Sequence, residues 1–222
     1  MEPANCYCQL PTYKNMSITL LLIAVTVAIS LWAWNSPTVM DRWIMNPYAV
    51  AKRGEYHRLI TSGFLHADMG HLFFNMLSFY FFGRGIEQIF GEIFGELGGI
   101  VLIGFYLIAI VVSDIPTLMK HKDNPGYNSL GASGGVSAVI FATILVFPLT
   151  SIYFFFIPVP IPGFIFAFLY LAYSYYSARQ GSSGINHDAH LYGGLFGLVF
   201  MAIAYPPAIS SFVAQVAQWR PF

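Results

Sequence analysis

Hydrophobic positions in this chain fall into long apolar stretches, and most polar residues gather in the segments between them. Six stretches are close to the roughly 20 apolar residues that a helix needs to cross a hydrocarbon core of about 30 Å. Prolines follow the fourth and the sixth stretch and mark their ends. The pattern predicts an all-α membrane protein with six transmembrane helices, at residues 17–34, 69–90, 97–113, 133–147, 163–176 and 189–205.

The first apolar stretch is predicted to be a retained helix and not a signal peptide. It is longer than the core of a signal peptide, and no cleavage site of small residues follows it. We therefore expect an N-terminal tail at 1–16, one membrane domain at 17–206 and a C-terminal tail at 207–222. Cys6 and Cys8 lie in the first tail, where two cysteines most often bind neither lipid nor metal.

Two segments between the stretches have their own patterns. Residues 36–65 mix charged side chains with aromatic ones, which is typical of a long first loop lying in the membrane interface. Residues 150–162 are β-branched and aromatic and then carry alternating prolines. Because proline breaks helices and β-branched residues favour strands, this segment is predicted to be a short extended piece at the membrane face.

Composition supports the membrane interpretation. Hydrophobic residues make up 57% of the chain and charged residues only 9%, whereas soluble domains carry roughly 25% charged residues. We expect the chain to lie in a lipid bilayer, to bind no nucleic acid and to need neither a cofactor nor a metal. Its oligomeric state is left open.

Unusual polar residues cluster where the second, fourth and sixth predicted helices begin. Alternate spans run in the same direction, so these three starts lie on one side of the membrane. Polar side chains are costly inside a span and usually face a protein interior or a water-filled cavity, so this convergence predicts a site. Its members are His66, His71, Asn75, Ser133, His187, Asp188 and His190.

A serine and a histidine in this set suit nucleophilic catalysis. The G-x-S-x-G around Ser133 also occurs in soluble hydrolases, so its surroundings must decide its meaning. His190 can act as the base if the fourth and sixth helices touch. Gly193 and Gly197 form G-x-x-x-G below His190, and Gly134 is small, which favours a close helix contact.

Acyl transfer also needs hydrogen-bond donors for the developing oxyanion. His71 and Asn75 are four residues apart, so they lie on one face of a helix. Together with the backbone N–H of Ser133, their side chains are predicted to supply the oxyanion hole.

These motifs resemble those of rhomboid intramembrane serine proteases. The resemblance rests on G-x-S-G at 131–134, H-x-x-x-N at 71–75 and A-H-x-x-G-x-x-x-G at 189–197, on three alternate spans. It implies a rhomboid-like bundle and a peptide-bond hydrolase that cleaves transmembrane segments of membrane proteins. Ser133 would be the nucleophile and His190 the base and acid, without a required carboxylate.

The resemblance extends to supporting residues. Ser137 stands where some rhomboids have a tyrosine that stacks on the catalytic histidine, so that support would have to come from Tyr192 or from an aromatic residue of a neighbouring helix. His57 precedes Arg58 where many members carry Trp-Arg. The expected structural residues are Gly131, Gly134, Gly193, Gly197, Glu87, Arg58 and His66.

Membrane location is predicted from the same resemblance. Rhomboids imply a cytoplasmic N-terminus and a site that faces outward, although the distribution of Lys and Arg in this chain favours the opposite orientation. We follow the family on this point. A short chain without extra domains or a transit peptide predicts a bacterial plasma membrane.

Each assignment has an alternative. Without the other motifs, Ser133 would be read as a small packing residue in a glycine-rich helix contact. The alternative role of His71 and Asn75 is to hydrogen-bond a loop across the top of the helix. His66 is expected to position the first loop. Asp188 would either orient His190 or, as we expect, cap the sixth helix, because Asp favours that position.

Two other functions remain open. A metal-dependent hydrolase would use the histidines of this face, but the sequence has no H-E-x-x-H, and no carboxylate is expected beside them in the spans. A catalytically inactive relative would bind or chaperone membrane proteins.

Overall fold

The structure of the chain, a computed structural model, describes residues 17–154, 157–180 and 184–220. The tail predicted at 1–16, with Cys6 and Cys8, lies outside the described residues. The described part is mostly helical and contains one antiparallel pair of strands. Its elements are α1 (Ile18–Trp34), α2 (Pro37–Trp43), α3 (Pro47–Arg53), α4 (Arg58–Thr61), α5 (Met69–Phe94), α6 (Gly98–His121), α7 (Ser133–Val146), β1 (Ser151–Phe154), β2 (Ile157–Pro162), α8 (Gly163–Gln180), α9 (His187–Ala204) and α10 (Pro207–Gln218).

Six of these helices coincide with the six predicted stretches. The largest difference is at the end of α6, which continues past the polar residue Asp114 and past Pro116. By length and hydropathy, the continuous helical stretch Met69–His121 qualifies as membrane-spanning within the described residues, and an 18-residue segment of it has a mean hydropathy of 2.2. The bent pairs α1–α2 and α9–α10 qualify when each is taken as one span, which brings the number to three. The number of six spans stays a prediction.

The first loop is folded into short helices held together by Arg58. This side chain is 7% exposed and donates hydrogen bonds to the carbonyl oxygens of Asp41, at 2.6 Å, and Ile44, at 2.8 Å. It also forms an ion pair with Glu55 at 2.6 Å. Because one guanidinium provides several donors in a fixed geometry, it fixes the ends of α2 and the loop before α3 relative to α4.

Glu87 of α5 holds the beginning of α1. Its carboxylate accepts hydrogen bonds from the Ser17 hydroxyl at 2.6 Å and from the backbone N–H of Ile18 at 2.7 Å and Thr19 at 3.2 Å. The first N–H groups of a helix have no partner within the helix, and a negative charge there also interacts favourably with the helix dipole. Glu87 therefore joins α1 to α5.

Helix α7 lies at the centre, between α5, α6 and α9. Every residue from 134 to 144 is buried, and most of the first six residues of the helix are Gly, Ser or Ala. In α8, by contrast, Gly163 and Ser174 are the buried residues among those described. The small side chains of α7 allow neighbouring helices to approach its backbone on several sides.

The extended conformation predicted for 150–162 is confirmed in its described residues by the pairing of β1 with β2. The segment 207–222, predicted as a tail, contains α10, which turns away from α9 by 112° after a pair of prolines.

Candidate active site

The contact between α7 and α9 is a seam of backbone against backbone. A Cβ atom added to Gly193 would overlap the carbonyl oxygen of Gly134, and one added to Gly197 would overlap that of Ala138. A side chain at either position would push the helices apart. This seam places the first turn of α7 beside the first turn of α9.

Ser133 is the first residue of α7, and His190 lies in the first turn of α9. Both side chains are half-buried. Within the part of the chain that the structure describes, no hydrogen bond joins the Ser133 hydroxyl to the His190 ring. Catalytic hydrogen bonds are often long before substrate binds, so the geometry remains compatible with a serine–histidine pair.

Gly131 and His71 are in direct contact. Gly131 has a φ of +124°, a conformation that residues with a Cβ rarely adopt, and its N–H donates to the Ser62 carbonyl at 3.0 Å. A Cβ at this position would lie 2.7 Å from Cε1 of His71. Glycine is therefore needed both for the turn before Ser133 and for space beside the His71 ring.

Asn75 lies one turn below His71 and is 8% exposed. Its side-chain amide donates to the His71 carbonyl at 3.2 Å, and this hydrogen bond stays within α5 and does not reach a loop. Asp68 caps this helix and accepts from the His71 N–H at 2.8 Å. His71 and Asn75, the two side chains predicted as oxyanion donors, thus lie near the capped start of α5.

His66 connects α1 with the turn before Ser133. Its Nε2 accepts from the Ala132 N–H at 3.5 Å, and its Nδ1 lies 3.0 Å from the Ser30 hydroxyl, which donates to the Phe64 carbonyl. These roles require the proton on Nδ1. Burial lowers the pKa of His66 to about 3, so its ring is neutral at physiological pH.

The prediction that Asp188 caps the sixth helix is wrong. Asn186 is the N-cap of α9, and its side-chain oxygen accepts from the Ala189 N–H at 3.1 Å. The helix begins one residue after Asn186, so Asp188 falls inside its first turn. There its carboxylate pairs with Lys120 at 3.4 Å. Both side chains can cap a helix, and sequence alone did not separate them.

A buried carboxylate near the serine was missed. Asp114 lies on α6, one residue past the predicted end of the third span, and it accepts a hydrogen bond from Asn186 at 3.5 Å. Thr117 donates to the same Asn186 at 3.0 Å. Asp114 and Asn186 line a small polar cavity that also reaches Ser133.

The aromatic neighbour of His190 comes from α8. The Tyr170 ring stacks on the His190 ring, with centroids 5.9 Å apart. Tyr192, named from the sequence, is 41% exposed. Because position 137 holds a serine, an aromatic partner for His190 was expected from elsewhere in the chain, but the sequence did not identify that residue.

The histidines do not assemble a metal site in the described residues, where no group of three His, Cys, Asp or Glu side chains has suitable geometry. His57 is exposed and its ring binds the Arg42 carbonyl at 3.0 Å. His66 and His71 contact each other edge to face at 4.9 Å.

Comparison with known proteins places this geometry in a family context. A family model described as the rhomboid domain matches residues 53–207. RHOMBOID-like protein 12, mitochondrial, of Arabidopsis thaliana is 32% identical over 180 residues, which cover 73% of this chain and 52% of the relative. Rhomboid-like protein 17, chloroplastic, of the same plant is 28% identical, covering 83% and 58%. Rhomboid protease GluP of Bacillus subtilis is 27% identical, covering 87% and 35%.

The chain spans about half the length of the two plant relatives. Their names place these relatives in mitochondria and chloroplasts, so the prediction of a bacterial plasma membrane, with its outward-facing site, is contradicted. An apolar helix needs the same hydrocarbon thickness in either kind of membrane, so composition could not distinguish them.

Proposed function

Because the chain belongs to the rhomboid family, we propose that it is an intramembrane serine endopeptidase that uses Ser133 and His190. The observation that carries the proposal is the glycine seam between α7 and α9, which puts the turns bearing these two residues side by side. The name of one relative, rhomboid protease GluP, supports the same activity.

In the proposed reaction, the Ser133 hydroxyl oxygen attacks the carbonyl carbon of a peptide bond while its proton passes to His190. The resulting tetrahedral intermediate collapses, and His190 gives the proton to the leaving amine. Water then attacks the acyl-enzyme with the same histidine as base and restores the Ser133 hydroxyl. Two half-reactions thus share one base, which is the general logic of serine hydrolases.

The oxyanion would accept hydrogen bonds from His71, from Asn75 and from the Ser133 N–H. The Ser133 N–H lies at the beginning of α7, where backbone donors are free of helix partners. The His71 ring lies against Gly131, next to that donor. Removing one oxyanion donor in other hydrolases costs roughly 3 kcal/mol, so Asn75→Ala should lower kcat by about two orders of magnitude.

The proposed substrates are transmembrane segments of other membrane proteins. Helix α7 has 14 residues and is therefore about 21 Å long, shorter than the roughly 30 Å of the hydrocarbon core. If α7 ends near the opposite face, Ser133 lies below the membrane surface. A membrane-inserted reporter should be cleaved far faster than the same sequence presented as a soluble peptide; equal rates would contradict this part of the proposal.

The names of the two plant relatives support an organellar membrane as the place of action. Co-fractionation of the endogenous protein with mitochondrial or plastid markers would test this assignment. Recovery with plasma-membrane markers alone would argue against it.

Activity-based labelling tests the nucleophile and the base without knowledge of the substrate. The purified wild-type protein should react with a fluorophosphonate probe, and Ser133→Ala and His190→Ala should not. Ser210→Ala is the matched control, because Ser210 is an exposed serine of α10 whose hydroxyl donates to Pro207. This variant should be labelled like wild type.

The alternative of an inactive, membrane-protein-binding relative makes the opposite prediction. A folded wild-type protein that neither reacts with the probe nor cleaves a reporter would favour it. Cleavage that persists in Ser133→Ala would falsify the proposed mechanism.

A further inference from the structure

We propose that Tyr170, held by Ser137, is the positioning residue that orients the imidazole of His190. This inference rests on the proposed function and deepens it, because it assigns the support of the base to a helix other than the ones that bear the two catalytic groups. Tyr170 lies on α8, Ser137 on α7 and His190 on α9.

The rings of Tyr170 and His190 are stacked. The planes of Tyr170 and His190 are inclined by 23°, and their centroids are 5.9 Å apart. This distance is within the range of offset-stacked aromatic pairs, which are worth about 0.5–1.5 kcal/mol beyond the area that they bury. Phe141 and Phe166 pack against the Tyr170 ring at 5.5 Å and 5.4 Å. The tyrosine ring is thus restrained on several sides.

A hydrogen bond holds the hydroxyl end of the Tyr170 ring. The hydroxyl groups of Tyr170 and Ser137 are 2.8 Å apart. Ser137 lies one helical turn after Ser133 on the same helix, so this bond ties α8 to the helix of the proposed nucleophile. A single side chain, Tyr170, therefore contacts both the α7 helix and the His190 ring.

The His190 ring is held by ring contacts and not by a hydrogen bond within the described residues. In residues 17–154, 157–180 and 184–220, no hydrogen bond to either ring nitrogen of His190 is present. His187 contacts the His190 ring edge to face, at 5.8 Å. A base without a carboxylate partner needs another means of holding its ring plane, since proton transfer requires hydrogen-bond geometry. Stacking on Tyr170 provides it.

Three variants separate the ring from its hydrogen bond. Tyr170→Leu removes the ring, Tyr170→Phe keeps the ring and removes the hydroxyl, and Ser137→Ala removes the hydroxyl's partner. Tyr192→Leu is the matched control, because Tyr192 is a tyrosine of α9 that is 41% exposed. Each variant is reconstituted as the full chain in liposomes. The fluorophosphonate labelling rate and the kcat and KM for a membrane reporter are measured.

A positioning role predicts a fall in kcat and in labelling rate with little change in KM. Loss of a stacking contact of the stated size corresponds to a roughly two- to twelvefold fall for Tyr170→Leu. Loss of one hydrogen bond predicts a roughly threefold fall for Tyr170→Phe and for Ser137→Ala. The double variant Ser137→Ala with Tyr170→Phe should be no slower than either single one, because both remove the same bond. Tyr192→Leu should behave like wild type.

Several results would overturn the inference while leaving the proposed function intact. In a protein that is labelled at Ser133, a wild-type rate in Tyr170→Leu would do so, as would an equal fall in Tyr192→Leu. If Tyr170→Leu does not fold, the two conservative variants decide, and additive effects or no effect in either overturn it. Wild-type protein that is not labelled at all would overturn both proposals.

Discussion

Helices α7 and α8 lie next to each other but are attached to the molecule in different ways. Residues 134–144 of α7 are all buried, and its backbone contacts α9 directly at two glycines. Most residues of α8 are partly or fully exposed, and large side chains such as Phe168 and Tyr173 point outward. Backbone contacts leave no freedom of adjustment, whereas side chains can repack, so the two helices should respond differently to substitution.

This difference bears on function. The proposed nucleophile lies on the helix that cannot shift, while the aromatic support of the proposed base lies on a helix attached through a few side chains. Tyr170 joins these two regions. Substitutions in the cores and in the seam therefore test how rigid the central helix is and how replaceable the outer one is, and the titration of His66 tests the polar contacts before Ser133.

The largest expected effect comes from removing a phenylalanine ring in each helix. Phe141 of α7 is fully buried and Phe168 of α8 is 73% exposed. Phe141→Ala should lower the free energy of unfolding by about 3–5 kcal/mol, because it leaves a cavity in the core. Phe168→Ala should change it by no more than about 0.5 kcal/mol. Unfolding in mixed micelles measures both; similar losses would abolish the distinction between the helices.

The next effect concerns the seam. In Gly197→Ala the new Cβ meets the Ala138 carbonyl, which is backbone and cannot turn aside. We expect a loss of about 1–3 kcal/mol in stability from overpacking. A displacement of about 1 Å between the helices should also slow probe labelling of Ser133 roughly a hundredfold.

Gly104→Ala is the control for the seam. A Cβ at Gly104 of α6 would have no atom within 4 Å. This variant should keep wild-type labelling and should be as stable as wild type or slightly more so, because alanine favours helices. If both glycine variants behave alike, the seam is not what sets the distance between α7 and α9.

The smallest effect is a pH dependence from His66. Burial lowers the pKa of this histidine to about 3 in the folded chain, below its ordinary value of 6.5. Between pH 6.5 and pH 3, His66 is therefore protonated in the unfolded chain and neutral in the folded one. The contribution of the neutral His66 to stability is complete above pH 6.5 and is lost as the pH falls from 6.5 towards 3, by at most about 1.4 kcal/mol per pH unit.

Unfolding measured between pH 7 and pH 5 tests this contribution. His66→Gln should flatten the slope, since glutamine does not titrate. A His66→Gln protein with an unchanged slope would count against a buried neutral His66.

Helix positions were predictable because each depends on a local run of apolar residues. The predicted starts of α5, α7 and α8 agree with the structure to the residue. The end of α6 was placed too early because Asp114 interrupts the apolar run. The helix continues past it, and the Asp114 side chain lines a polar cavity inside the protein. The cap of α9 was misplaced because Asn186 and Asp188 are both residue types that favour the N-cap position. Which of them is the cap depends on the residue at which the helix begins.

The motifs by themselves determined the set of candidate groups: a serine among small residues, a histidine above a G-x-x-x-G, and a histidine and an asparagine on one helix face. Tertiary structure decided which atoms are neighbours. It placed Gly193 against Gly134, His71 against Gly131, and Tyr170 on His190. The physical reason is that periodicity defines the face of a helix but not the rotation and depth at which it packs, which depend on every side chain in the contact.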